Sequence, residues 1–195
     1  MTAKTNSTNY KQFLYPPGGI LIWIIIIVET ITFGAGIIAF AWQRNLAAEM
    51  FDTSQQTLNV TIGFINTLFL LTSGFFVAEA IRYLKLDNMP KSRNLMRVAM
   101  LFGFAFLFLK GFEYYGKLEH GLDLTHNTFF TFYWLLTGFH FLHVSVGLVI
   151  LGALSANIRQ EKYNGNNYLD VETGAAFWHM CDMIWLLLFP VLYLL

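Results

Sequence analysis

Five apolar runs, about 18–42, 58–83, 94–117, 129–156 and 174–195, account for most of this chain. A helix that crosses a bilayer needs about 20 mostly apolar residues, and runs this long are not soluble strands. Backbone inside lipid must satisfy its own hydrogen bonds, which leaves helices as the solution for such runs. Turn and charge signals bound each of them: Pro16 to Gly19, Asp52 to Ser54, Asp87 to Pro90, Gly121 to Asn127 and Asn164 to Asn167. The expected fold is therefore all-α, an integral membrane bundle of five transmembrane helices. Only 12% of residues are charged, half of the roughly 25% usual in a soluble domain. The 195 residues suffice for one bundle over 18–195 and leave no room for a second domain. Residues 1–17 lack the pattern of a cleaved signal and are expected to form a short polar tail.

What the composition excludes is equally useful. The formal net charge is zero, so nothing points to nucleic acid. The single cysteine, Cys181, excludes an intrachain disulfide and a multi-cysteine metal site. No internal repeat is visible, which argues against a transporter built from repeated halves.

Basic residues set an expected orientation. Lys4, Lys11, Arg82, Lys85, Lys91, Arg93, Arg97, Arg159 and Lys162 fall on one side of the membrane, against Arg44 and Lys117 on the other. Positive residues favour the cytoplasm, so the N-terminus is expected inside and the C-terminus outside.

Against this apolar background the ionisable residues stand out, because charge at membrane depth is costly. His179 and Asp182 are spaced i,i+3 and share a helix face. By helix rise, Glu29, His143 and Asp182 each lie about 20 Å from the outer end of their own helix. His140 and His179 fall within about a turn of that level. A carboxyl at Glu29, between Trp23 to Val28 and Thr30 to Phe33, must hold a proton or find a partner on another helix. The expectation is a buried, hydrogen-bonded cluster of Glu29, His143 and Asp182, with His140 and His179 beside it. Lys110 and Glu113 form a second polar pair nearer the outer surface, open to a structural or a functional reading. Glu79 is placed to snorkel from the inner end of its span. Trp42, Tyr83, Tyr114, Tyr115 and Tyr193 read as an aromatic belt, and the stripe from Phe102 to Phe112 as packing.

The same residues bear on metal chemistry. Facing transmembrane histidines can hold haem iron, and His140, His143 and His179 raise that possibility. No second helix carries an opposing pair at matched spacing, and Asp182 already serves His179. Glu113, Glu29 and His143 differ in depth, which disfavours a carboxylate-rich metal site.

One motif per span then resembles subunit III of the haem-copper respiratory oxidases. These are Trp23, Glu29 and Phe33; Asn66-Thr67 with Thr72-Ser73-Gly74; Lys110-Gly111-Phe112-Glu113-Tyr114; Gly138-Phe139-His140 with His143 and Gly147; and Trp178-His179 with Asp182 and Trp185. The resemblance covers about residues 15–195 and implies a helical, non-catalytic subunit flanking subunit I, with subunit II in the same complex. Haem and copper would then reside in the partner subunits, with none in this chain. It implies bound phospholipid, support of proton uptake, and protection of subunit I from losing activity during turnover. The assembled enzyme would reduce oxygen to water and move protons across a bacterial plasma membrane. Glu29, His140, His143, His179 and Asp182 would be the proton-related cluster, and Asn66, Thr67, Thr72 and Ser73 the polar helix-packing set. Five spans match the family's seven-helix form from its third helix onward. The missing pair normally forms one wall of the lipid cleft. Quinol oxidase subunit III and an accessory subunit of nitric oxide reductase remain alternatives on the same fold, with a haem b electron carrier further off.

Overall fold

The computed structural model describes residues 18–165 and 167–195. The tail expected over 1–17 lies outside the described residues. Among the described residues six helices follow one another: α1 (Ile20–Leu46), α2 (Ala48–Gln55), α3 (Val60–Lys85), α4 (Met89–Glu119), α5 (Thr128–Arg159) and α6 (Leu169–Tyr193). All but α2 are long and apolar enough to cross a membrane.

Helices α4 and α5 outrun their apolar runs because their starts are capped in polar sequence. Asn59, Asn88 and Asn127 each accept a backbone N–H three residues on, from Ile62, Lys91 and Phe130. At α4 this cap, with Pro90 in the first turn where a missing N–H costs nothing, carries the helix back to Met89. The turn signal at 87–90 is thus the helix start itself. Short α2 was not anticipated. Its sequence is too polar to span, but Phe51 and Ser54 are buried where it folds across the ends of α1 and α5.

α3, α4, α5 and α6 form a four-helix ring, each packed on two neighbours, and α1 lies against α5 and α6 outside it. Ring closure depends on small residues. The inward stripe of α4 is Ser92, Met96, Ala99, Gly103, Phe106, Lys110, Glu113 and Lys117, with small side chains at close approach. Trp178 fills the centre, pressed between Gly103 and Gly147. A Cβ at either glycine would sit 2.8 Å from the indole. Ser73 donates to the Ala99 carbonyl at 2.7 Å and ties α3 to α4. The phenylalanine stripe divides: Phe106 is buried, whereas Phe104, Phe108 and Phe112 face outward.

Arg82, Lys85, Lys91, Arg93, Arg97, Arg159 and Lys162 gather where α3 and α5 end and α4 and α6 begin. This is the basic end; the opposite is the far end. At the basic end Glu79 pairs with Arg82 at 2.7 Å and Lys85 with Glu172 at 2.6 Å.

Candidate functional site

Three polar centres lie inside the bundle. The first is at the edge, between α1 and α5. The inward stripe of α1 runs through Ile22, Glu29, Phe33 and Phe40, so its carboxyl faces the ring while most of the helix stays exposed. Glu29 Oε1 lies 3.2 Å from His143 Nε2. His143 Nδ1 is 2.8 Å from the Phe139 carbonyl, which can only accept, so that nitrogen carries hydrogen. A neutral ring would then present a bare Nε2 to a carboxylate. The contact therefore needs one proton between the two groups, on either the acid or the imidazole. Glu29 Oε2 is buried with no partner among the described residues.

The second centre lies between α6 and α3. His179 Nδ1 is 3.3 Å from Asp182 Oδ2, and the carboxylate lies on Gly74, where even a Cβ would collide with it. The single cluster of Glu29, His143 and Asp182 expected from depth is thus two separate pairs. Their levels agree, but each residue turns a helix by about 100°, and position 182 faces α3 rather than α1. His140 joins neither pair. It is wholly buried, stacked on Trp185 at 5.3 Å and edged by Phe33 and Phe106, and neither ring nitrogen has a partner among the described residues.

The third centre, nearer the far end, is the most densely bonded. Lys110 Nζ donates to Glu113 Oε2 at 2.9 Å, Tyr133 Oη at 3.0 Å and Tyr193 Oη at 2.6 Å, which uses all three of its hydrogens. Tyr133 and Tyr193 in turn donate to Glu113 Oε1 at 2.9 and 2.8 Å. Lys117 approaches the same oxygen at 3.8 Å. Lys110 is 1% exposed and Glu113 6%, which places the pair in the core and not at the surface. Tyr193 and Tyr114, read as belt residues, belong here. Tyr193 is buried in the hub, and Tyr114 donates to Thr137 at 2.9 Å. Trp42 and Tyr115 are exposed. Nothing in the spacing announced the tyrosines. The hub draws on α4, α5 and α6, and only the i,i+3 pair Lys110–Glu113 was visible locally.

The polar set on α3 serves packing contacts of differing quality. Thr67 accepts from Trp185 Nε1 at 3.0 Å and donates to the Gly63 carbonyl at 2.9 Å. Asn66 is fully buried with neither amide atom partnered among the described residues, and Thr72 is half-buried.

Comparison with known proteins decides the family. The family described as cytochrome c oxidase subunit III matches residues 19–195, all five spans and the three polar centres. The chain belongs to this family. It is a subunit III of the haem-copper oxidases and a multi-pass membrane protein, hence part of an oxidase complex. The chain is similar to cytochrome c oxidase subunit 3 of Thermostichus vulcanus, 31% identical over 173 residues, 88% of this chain and 84% of that protein. The Bacillus subtilis protein of the same name is 30% identical over 182 residues, 89% of this chain and 84% of its own length. That of Rhipicephalus sanguineus is 28% identical over 132 residues, and the match spans half of its length, 50%. Among the described residues of this subunit III, no three His, Cys, Asp or Glu side chains converge to hold a metal ion.

Proposed function

We propose that this chain flanks the catalytic subunit I of a terminal oxidase and sustains it without a redox centre of its own. Haem and copper belong to the partner subunits, subunit II shares the complex, and phospholipid contacts the exposed faces. The basic end faces the cytoplasm and the far end the outside of a bacterial plasma membrane. The observation that carries this reading is the Glu29–His143 pair. It sets a carboxyl 3.2 Å from an imidazole, midway along an otherwise apolar span, on the helix least covered by the rest of the bundle. Such a pair stores and returns a proton beside a neighbour that consumes them, while the Lys110–Glu113 hub keeps the bundle rigid.

The test is turnover. Oxidase assembled with Glu29→Ala should perform a normal first turnover and lose activity sooner over many turnovers than wild type. Complex lacking this chain that keeps full activity through the same number of turnovers would refute the role. Abolition of the first turnover by Glu29→Ala would assign the residue to catalysis instead.

A further inference from the structure

The outward strip of α6 has a property lipid cannot satisfy. Four of its residues, Ala176, His179, Met183 and Leu187, lie between the side that packs on α3 and the side that packs on α1. Met183 and Leu187 are 66% and 54% exposed, as a lipid-facing or partner-facing strip should be. In their midst the His179 side chain is 42% exposed, though its Nδ1 is engaged by Asp182. Its Nε2 makes no hydrogen bond among the described residues. By helix rise the residue lies about 15 Å from one end of a helix about 37 Å long, near the bilayer centre. Lysine and arginine at such depths escape to the interface by snorkelling, but an imidazole has no stem long enough. Acyl chains offer it no partner, and polar groups at this depth face protein or a water-filled cavity.

We propose that this face of α6, centred on His179, receives a transmembrane helix of another subunit that presents a hydroxyl or amide donor to His179 Nε2. With the Asp182 carboxylate ionised and accepting from Nδ1, the neutral ring aims its other nitrogen outward as an acceptor. Ala176, one turn away, lets a neighbouring backbone come close. Helices α3 and α1, on which α6 packs to either side, border the strip. A second copy of this chain would answer badly, because a two-fold contact sets one imidazole acceptor against another.

This rests on the assembly reading above, and the experiment separates the two. A photo-crosslinking residue replaces Met183 on this face, or Val149 on the outer face of α5 as control, and the complex is purified in mild detergent before irradiation. The expected result is a covalent adduct between position 183 and a different subunit of the purified complex, with position 149 labelling lipid. In the same preparation, His179→Leu should lower retention of this chain about fivefold, the scale of one interhelical hydrogen bond in a membrane. His179→Gln, which keeps an amide for Asp182 and for the partner helix, should restore it; the unfolding midpoint of the isolated subunit, which His179→Leu lowers by leaving Asp182 unpartnered, is measured for both so that retention is compared at equal folded fraction. An adduct with lipid or a second copy alone, or equal retention of both variants, overturns the proposal. Haem absorbance of the purified complex tests the assembly reading alone. A haem-free complex with the 183 adduct keeps this inference and removes that reading, and a haem-containing complex without the adduct does the reverse.

Discussion

At the scale of single residues, the interior sorts its polar groups by how completely they are satisfied. Lys110 spends three hydrogens on three acceptors, and Glu113 answers with both oxygens. Removing one partner from such a pair leaves a buried charge behind, which is costlier than removing both. Lys110→Met should therefore destabilise the subunit by about 3–5 kcal/mol, and the double variant Lys110→Met with Glu113→Gln should recover a large part of that loss. Unfolding in detergent, followed by circular dichroism, measures both, and additive losses would remove the coupling. Thr67 carries a smaller share. Thr67→Val takes the acceptor from the buried Trp185 N–H and should cost about 1 kcal/mol in the same assay. His140, with neither nitrogen partnered among the described residues, is the opposite case, held by the Trp185 face and not by hydrogen bonds.

At the scale of helices, close approach is set by where side chains are missing. α3 reaches α6 over Gly74, and the Asp182 carboxylate occupies the space a Cβ would need. Gly74→Ala must push that carboxylate and with it the His179 ring. The expected loss is about 1–3 kcal/mol, the range for overpacking a filled contact, read from the unfolding midpoint of the subunit. A variant as stable as wild type would show that α3 and α6 can separate freely. The polar pairs follow from the same geometry. Glu29, His143 and Asp182 were legible as residues out of place in lipid, and their shared level followed from helix rise. Which pairs with which was not legible, because it depends on how each helix is rotated about its axis. His143 turns to α1 and Asp182 to α3.

At the scale of the whole molecule, the basic end concentrates the cations and the far end carries α2 and the tyrosine hub. With the basic end in the cytoplasm, Gln160→Cys should be shielded from a membrane-impermeant maleimide added to intact cells, and Leu124→Cys should react. Buried Cys181 stays silent in both. The reverse pattern would invert the proposed orientation. The peripheral placement of α1 and the open strip on α6 are likewise properties of the assembled bundle.

Span number, helical class and the family motifs were all decided by the order of residues along the chain. Each is a local matter: about 20 apolar residues demand a helix in lipid, and caps such as Asn88 start it. The tyrosines that hold Lys110, the division of the acids into two pairs and the exposure of His179 depended on tertiary structure. Those contacts join residues as far apart in sequence as Glu29 and His143, and rotation of a helix by a single residue redirects a side chain by about 100°.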